Sequence, residues 1–416
     1  MTNTRRDFFR LAALPVTWSA FHTALQAAAP GMPDATNETY WSMVKRQFPL
    51  DEKLIYLNAA NVCPSSRLVL DRHQEFLRDF HSNPSFQNRA KYGPMQEALR
   101  GKIAGMLRVS ADEIAITRNT SEGTNLIVRG VDMKAGDEVI VTEHNHPSNL
   151  DSWKVRAQRD GIVVTALPVP VPARSVDELV SQIEKAITPR TKVISVTHVT
   201  STCGILYPAR EIAALARKRG IYFHLDGAQS FGSIDVNLQD IAPDSYSSSA
   251  HKWLMGPLEN GILYVRAERI PQIWPSIVTA GWSDHLKGAR KFEVLGQRDD
   301  PRVVALDSAI DFINMIGMPA VEARVRALTT RAKMQLKEMP GELKTNMEPQ
   351  LSGGVIKFKP KNQPVPQVYA TLWEKYHISI ASTPRGDSEG LRISPQIYNS
   401  MEEIDRAMAA IKEVSA

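Results

Sequence analysis

Two neighbouring stretches decide the fold: IYFHLDGAQS at residues 221–230 and SYSSSAHKW at residues 245–253. Each begins with a short β-rich run and ends in polar residues, so Asp226 and Lys252 directly follow predicted strands. Similar strand-like runs lie at 113–118, 138–143, 162–169, 192–199 and 261–267, with helix-like segments such as 176–187 and 208–220 between them. This alternation predicts an α/β fold with a mostly parallel sheet and helices on both faces.

The pattern changes in the last quarter of the chain. Helical residues at 307–338 are followed by strand-like runs at 353–358, 377–382 and 391–394, and by a last helix at 401–413. These features predict a smaller C-terminal α+β domain over 307–416 and a large domain over 61–306. We expect the N-terminal segment 30–60 to pack near the small domain.

Composition excludes several classes of protein. The 416 residues are 43% hydrophobic and 23% charged, which is ordinary for a globular protein and not for a disordered chain or a coiled coil. The net charge of +5 comes without a dense basic run, so no nucleic-acid partner is expected. The two cysteines, Cys63 and Cys203, are too few for a disulfide framework or a structural zinc site.

The N-terminus resembles an export signal. TRRDFFRL at 4–11 carries paired arginines, and a short apolar stretch interrupted by Pro15 leads to AAA at 27–29. We interpret residues 1–29 as a twin-arginine signal, which predicts the twin-arginine export machinery as a partner and a periplasmic location. A basic amphipathic helix on a cytoplasmic protein is the alternative.

A candidate anion site lies at 117–127, TRNTSEGTNLI. A strand ends there, and Thr120 and Ser121 open a helix whose free N–H groups and positive dipole end suit a phosphate. Ordinary helix capping by the same residues is the alternative.

Three further features suit work on a substrate with amine and carboxylate groups. Asp226 in DGAQS can face a ligand, although a turn-initiating Asp looks the same. Lys252, after Ser249 and His251 in SSSAHKW, is a possible nucleophilic amine or a solvated surface lysine. Arg392 in LRIS presents a planar fork for a carboxylate, or makes a structural ion pair.

The order and spacing of these features resemble the class V aminotransferases, a group of fold-type I pyridoxal-phosphate enzymes. The resemblance covers the chain from about residue 50 to its end, and DGAQS followed by SAHK is its most specific part. It implies pyridoxal 5'-phosphate as cofactor, a mostly parallel seven-stranded sheet, and a homodimer.

The resemblance also implies roles for individual residues. Lys252 would form a Schiff base with the cofactor aldehyde and later move the α-proton. Asp226 would hold the ring nitrogen protonated, which makes the ring an electron sink. Gln229 would bond near the ring hydroxyl, as would Ser201, and Arg392 would bind the substrate α-carboxylate.

The remaining implied contacts surround the phosphate and the ring. Phosphate contacts are expected from four residues of the chain: Thr120, Ser121, Ser249 and His251. A histidine of the loop EHNHPSNLDSW (143–153) would stack on the ring, and we favour His146 over His144. Gln297, in FEVLGQRDDP (292–301), would reach the phosphate in a neighbouring subunit, so the active site would be shared.

The chain departs from the cysteine desulfurases in one loop. IASTPRGDSEG at 380–390 lacks the nucleophilic cysteine of that branch, so we predict that the protein is not a persulfide-forming desulfurase. An aminotransferase or an isopenicillin N epimerase-like enzyme acting on an amino acid or an amino-acid-containing metabolite fits better, as do periplasmic relatives that modify the siderophore pyoverdine. Arg385 in this loop is either a contact for a second carboxylate or a solvated arginine. Elimination at a β or γ carbon is a further possible outcome.

Two hypotheses come from other classes. His144 and His146 form an H-x-H pair that suits a metal-dependent hydrolase, although Pro147, Ser148 and Asn149 follow where a further ligand is usual. A non-catalytic scaffold is the other alternative, and the intact set of Asp226, Lys252 and Arg392 argues against it.

Overall fold

The computed structural model describes residues 18–28, 31–285, 287–383 and 389–416. Its strands are β1 (Ile55–Tyr56), β2 (Ile114–Thr117), β3 (Glu138–Thr142), β4 (Val163–Leu167), β5 (Thr191–Thr197), β6 (Tyr222–Asp226), β7 (Ser245–Ser249), β8 (Gly261–Val265), β9 (Gly341–Leu343), β10 (Ile356–Pro360), β11 (Ile378–Ser379), β12 (Ala381–Thr383) and β13 (Gly390–Ile393). Its α-helices are α1 (Trp18–Ala28), α2 (Glu38–Lys45), α3 (Arg67–Ser82), α4 (Phe86–Arg89), α5 (Tyr92–Leu107), α6 (Thr120–Gly130), α7 (Pro147–Asp160), α8 (Val176–Ala186), α9 (Ala209–Lys218), α10 (Leu238–Ile241), α11 (Asp300–Ile316), α12 (Met318–Lys337), α13 (Val365–Tyr376) and α14 (Met401–Ser415).

A seven-stranded sheet in the order β2-β8-β7-β6-β5-β3-β4 forms the centre of the large domain. All neighbouring pairs from β7 to β4 are parallel, and β8 runs antiparallel to β2 and β7. Strands β3, β6 and β7 are buried along their whole length, as expected for a sheet covered on both faces. The predicted α/β fold with a mostly parallel seven-stranded sheet is confirmed.

The pairing of β5, β6 and β7 brings their carboxyl ends to one edge of the sheet. Asp226, the last residue of β6, lies opposite Thr197 of β5 and Ser247 of β7. Side chains that follow these strands therefore meet in the crevice beyond this edge, where open α/β sheets bind their ligands.

Helix α6 is held tightly against this sheet. A Cβ atom added at Gly123 would lie 2.9 Å from the Cβ atom of Ser247, so only glycine permits this close approach. The N-terminus of α6 is consequently fixed beside the end of β7.

The C-terminal domain is a four-stranded sheet, β12-β13-β10-β9, in which every pairing is antiparallel. Helices α12, α13 and α14 bury Leu328, Leu372 and Ile404 in a second core. Strand β1 pairs in parallel with β11, and Leu57 lies in the same core, so the segment 30–60 contacts this domain through its last residues. Trp41 belongs to the core of the large domain.

The predicted boundary between residues 306 and 307 falls inside α11. This helix continues to Ile316 with its apolar side chains in the large core, and Gly317, at φ +91°, separates it from α12. Helix α12 then runs from the large core to the second one. No single described helix is long and apolar enough to span a membrane; α11 and α12, bent by 79°, meet the length and composition test only as a pair.

Helix α1 packs on the large domain. Phe21 and Leu25 are buried in its core, and the Phe21 ring stacks on Phe312 with 6.0 Å between the ring centroids. Arg5 and Arg6, on which the export-signal interpretation depends, lie outside the described residues, so that interpretation stays a prediction.

Candidate active site

A buried carboxylate and a partly buried amine lie near each other at the edge of the sheet. Asp226 is 1% exposed, and its Oδ1 accepts a hydrogen bond of 3.0 Å from the backbone N–H of Ala228. Lys252 lies in the turn after β7. Burial lowers the pKa of Lys252, an effect that the Asp226 charge opposes, and burial raises the pKa of Asp226, an effect that Lys252 opposes. Each group therefore favours the ionised form of the other.

A cluster of N–H and hydroxyl groups lies where α6 begins. The Thr120 N–H donates to Ser249 Oγ over 2.9 Å, and the Thr120 and Ser249 hydroxyls are 2.7 Å apart. Ser121 follows at the second helical position and is half-buried. With the positive end of the helix dipole, these groups are suited to an anion.

His251 adds an unused polar atom to this region. Its Nδ1 is buried and has no hydrogen-bond partner among the described residues. Burial lowers its pKa to about 4, so the ring is neutral near pH 7. Its carbonyl accepts a hydrogen bond of 2.8 Å from the Cys63 N–H, which holds the turn of Lys252 against the segment around residue 63.

Arg392 comes from the small domain, and among the described residues its hydrogen bonds go to neutral oxygens. Its Nη1 donates to the Ser201 carbonyl over 3.3 Å and its Nη2 to Asn58 Oδ1 over 3.2 Å, while its buried Nε has no partner in the described part of the chain. Burial lowers the pKa of Lys252 and of His146, and the charge of Arg392 adds to this effect, so the three side chains are close enough to interact electrostatically. A guanidinium without a carboxylate partner among these residues suits a carboxylate ligand.

The two candidate stacking histidines have different surroundings. The His146 Nδ1 accepts a hydrogen bond of 3.2 Å from the Ser148 N–H at the start of α7. Burial lowers its pKa, and the charges of Lys252, Asp226 and Arg392 all act on it. His144 Nδ1 lies 2.9 Å from Thr202 Oγ1, in the loop after β5. The structure brings His146 together with Asp226.

The hydrolase hypothesis finds no metal cluster to support it. Over residues 18–28, 31–285, 287–383 and 389–416 there is no group of three or more His, Cys, Asp or Glu residues able to hold a metal ion.

Two predicted residues, Gln229 and Gln297, have side chains that bond other groups, and a third lies outside the described residues. Gln229 is 2% exposed, and its amide already donates to the Ala60 carbonyl over 3.0 Å and accepts from Trp253 Nε1 over 2.7 Å. Gln297 is exposed, and its Oε1 accepts a hydrogen bond from Arg89. A side chain in such an exposed position can reach another subunit. Arg385 lies outside the described residues. The roles assigned to all three stay predictions.

Sequence reasoning missed two buried polar residues. Asn149 is fully buried on α7, and its amide lowers the pKa of Asp226; its spacing of three residues from His146, on one helix face, is the signal that could have found it. Lys357 is fully buried on β10, opposite Arg392, and its Nζ donates to Thr383 Oγ1 over 2.8 Å. Burial and Arg392 lower its pKa to about 8. Nothing in the sequence distinguishes it from a surface lysine.

A family model supports the same conclusion as the geometry. The model of the class-V aminotransferases matches residues 55–407. The chain belongs to this family. It is 30% identical over 398 residues to an isopenicillin N epimerase of Amycolatopsis lactamdurans, covering 91% of this chain and 99% of that protein. It is 26% identical to a probable cysteine desulfurase of Methanothermobacter thermautotrophicus, covering 89% of this chain and 97% of that protein.

Solved structures confirm the fold. Two structures of the cystine C–S lyase C-DES are similar to this chain, each at 22% sequence identity. The first has a TM-score of 0.82, and the match covers 89% of this chain and 99% of that one. The second has a TM-score of 0.81, and the match covers 88% of this chain and 100% of that one. One is a mutant with glycine covalently linked to the PLP cofactor, and the other is a complex with the product cysteine persulfide. Because the relatives include cysteine desulfurases, the comparisons do not support the prediction that excludes this activity.

The cofactor of this family member is pyridoxal 5'-phosphate, and the described residues fit it. The N-terminus of α6, the Ser249 hydroxyl and the free His251 Nδ1 suit its phosphate, Asp226 suits its ring nitrogen, and Lys252 suits its aldehyde. When bound, the cofactor supplies an electron sink for negative charge at the substrate α-carbon.

Proposed function

We propose that this chain removes the α-proton of an amino acid, or of an amino-acid unit in a larger metabolite, and acts as an epimerase or an aminotransferase. One observation carries the proposal: Arg392 donates to the carbonyl of Ser201 in the loop after β5, and β5 pairs with β6, which ends at Asp226. The carboxylate receptor and the ring-nitrogen partner therefore lie at the same edge of the sheet, and the charges of both act on Lys252. The similarity to an isopenicillin N epimerase supports it.

Each residue of this pocket has a separate task. Arg392 binds the α-carboxylate with the Nη1 and Nη2 hydrogens that Ser201 and Asn58 leave free, and this orients the α-hydrogen. Lys252 Nζ, whose pKa is lowered by burial, accepts that proton. Asp226 stays ionised beside the ring nitrogen, and His146 covers the ring.

The fate of the proton separates the two reactions. Its return to Cα on the opposite face gives the other enantiomer and needs a second acid there. If the bound cofactor instead kept the amino group, water would replace that group on the substrate and the product would be an oxo acid. Lys252 serves the first step of both.

The test is exchange of the α-proton in D2O, followed by NMR for a panel of amino acids and peptides with the loaded protein. We expect exchange for at least one substrate and none with Lys252→Ala, while the surface variant Lys375→Ala exchanges normally. Product chirality and oxo-acid formation then distinguish epimerisation from transamination. If the loaded wild-type protein exchanges no α-proton across the panel, the proposal is wrong.

Cleavage of a C–S bond is the second candidate, favoured by the cysteine desulfurase relatives. A protein persulfide needs a reactive thiolate. Cys63 and Cys203 are buried, and burial raises the pKa of Cys63 to about 12 and also raises that of Cys203. Any sulfur released would therefore leave without residing on the protein.

Incubation with cysteine or cystine tests this candidate. Sulfide or low-molecular-weight persulfide that forms equally with Cys63→Ser and Cys203→Ser would favour the lyase. A persulfide found on either protein cysteine would show that the chain is a desulfurase and would contradict our inference.

The location and assembly of the protein belong to the same proposal. The predicted export signal supports a folded, cofactor-loaded enzyme in the periplasm, and the exposed position of Gln297 supports a homodimer with shared active sites. Cell fractionation of tagged wild-type and Arg5→Lys/Arg6→Lys chains tests the first, and light scattering of the purified protein tests the second.

A further inference from the structure

Asn149 lies inside the large domain, next to the carboxylate on which the cofactor depends. Its side chain is 0% exposed, and its backbone N–H donates to the His146 carbonyl over 2.8 Å in the first turn of α7. One turn of this helix therefore carries both His146 and Asn149 to Asp226.

Neighbouring groups determine which way the Asn149 amide points. Its Oδ1 accepts hydrogen bonds of 3.2 Å from Asn145 Nδ2 and 3.2 Å from Ser195 Oγ. The orientation of Asn145 is itself determined, because its Oδ1 accepts from the Thr142 hydroxyl over 2.7 Å and its Nδ2 donates to the Ser195 carbonyl over 2.7 Å. Asn145 must then present a donor to Asn149, and the Asn149 Nδ2 faces the opposite way.

That opposite side holds Asp226. The Asn149 Nδ2 is buried and has no well-aligned hydrogen-bond partner among the described residues. Burial raises the pKa of Asp226, and the Asn149 amide is one of the groups that lower it. The other groups facing this carboxylate are the Ala228 N–H, Lys252 and His146, with Tyr246 behind it. A buried amide donor has to find an acceptor, since leaving it unpaired costs about 1–3 kcal/mol.

We propose that Asn149 is a positioning residue for Asp226: its Nδ2 donates to the carboxylate oxygen that Ala228 does not hold, and this keeps the carboxylate ionised and turned to the cofactor ring nitrogen. The inference deepens the proposed function and rests on the role that it gives to Asp226. No residue of this amide network, from Thr142 to Ser195, needs to contact the substrate.

The consequence is a shift in pH dependence. Burial raises the pKa of Asp226, so loss of one donor raises it further, and the neutral acid forms at a higher pH. A protonated Asp226 no longer balances the charge of a protonated ring nitrogen, so cofactor affinity falls. On the acidic limb of the pH profile, cofactor affinity should begin to fall at a pH about one unit higher than in wild type. At a fixed pH on this limb, the affinity is then about tenfold lower.

The experiment measures the dissociation constant of pyridoxal 5'-phosphate from the full chain between pH 5 and 9, by titration of apoprotein. We expect the acidic limb to move up in Asn149→Leu and further in the isosteric Asn149→Asp, which places a second carboxylate beside Asp226. A purely structural role predicts the reverse order, because Asp keeps the shape and the bonds to Asn145 and Ser195.

Two controls keep the result interpretable. Asn346→Leu removes another buried amide, one bonded to Ala173 in the loop before α8, and should leave the pH profile unchanged. In an Asp226→Asn background, Asn149→Leu should cause no further shift. Unshifted limbs in Asn149→Leu and Asn149→Asp, or an equal shift in Asn346→Leu, overturn the inference. This readout needs no substrate, so it stands apart from the α-proton test of the proposed function.

Discussion

At the scale of single residues, Arg392 is a charged group whose bonds in the described chain all go to neutral oxygens. It is partly buried between Asn58 and Ser201, and burial lowers its pKa. Binding of an anionic ligand to such a cation is favourable, because charge-assisted bidentate hydrogen bonds are stronger than hydrogen bonds to neutral oxygens.

Arg392→Gln should therefore reduce kcat/KM for amino-acid substrates about 100-fold, the effect of losing about 2–3 kcal/mol of charge-assisted hydrogen bonding. Cofactor affinity should remain unchanged, since Arg392 bonds none of the phosphate groups. Arg331→Gln, on the exposed side of the small domain beside Asp405, is the control. Steady-state kinetics and cofactor titration of the three proteins check this, and equal kcat/KM in Arg392→Gln and wild type would contradict it.

The residues that sequence reasoning found share one property. Asp226 ends a strand, Lys252 lies three residues after one, and Thr120 opens a helix, and such positions are visible in a one-dimensional pattern. Asn149 and Lys357 were missed because their importance depends on what lies opposite them in space. In the sequence, the choice between His144 and His146 could be argued only by counting residues from Glu143 or Trp153. In the structure the two histidines have different neighbours, Thr202 for His144 and the charged groups of the site for His146.

At the scale of elements, His224 joins strand β6 to β7 and to helix α6. Its Nδ1 lies 2.8 Å from Ser245 Oγ, and its Nε2 lies 3.4 Å from both Thr124 Oγ1 and Ser247 Oγ. The ring is fully buried, and burial lowers its pKa to about 3. Below the pKa of about 6.5 of an unfolded histidine, the unfolded chain binds a proton that the folded chain refuses.

The contribution of His224 to stability is thus complete above about pH 6.5 and is lost as the pH falls towards 3. The loss is about 1.4 kcal/mol per pH unit, or about 3 kcal/mol at pH 4.5. His224→Gln should lower stability at pH 7 but flatten its fall between pH 6.5 and 4.5, relative to wild type and to the exposed control His81→Gln. Urea unfolding at several pH values checks this; the same acid slope in all three proteins would refute it.

The strands of the large domain were predictable. Each predicted strand appears within two residues of its expected bounds, because most of these short runs are rich in apolar β-branched residues and end at turn residues. Strand β9 and the break at Gly317 were not predicted. The boundary at 306/307 was predicted from a change in the sequence pattern. In the structure, α11 packs in the core of the large domain and α12 packs in both cores.

At the scale of the whole molecule, helix α1 covers apolar side chains of the large domain. Phe21 is 3% exposed and stacks on Phe312, which also meets Phe48 edge-on with 5.6 Å between centroids. In the full chain, α1 therefore contributes to stability, although it falls within the predicted signal 1–29.

Phe21→Ala in the unprocessed chain should cost about 2 kcal/mol, less than a typical core Phe→Ala change because α1 can detach, and should lower Tm by several degrees. His22→Ala, on the exposed side of the same helix, should have no effect. A chain beginning at residue 30 should melt close to Phe21→Ala. Thermal unfolding of these proteins checks this, and a wild-type Tm for Phe21→Ala would mean that the contact contributes nothing.

Arg392 and Asn58 meet across 334 residues of chain. During synthesis, Asn58 is made early and Arg392 late. Strand β1 likewise cannot pair until β11 has been synthesised. The large domain can take its shape during synthesis, since N-terminal domains generally fold first. The proposed receptor for the substrate carboxylate is complete only after β13 has left the ribosome. A nascent chain that stops before β13 lacks Arg392 and therefore this receptor.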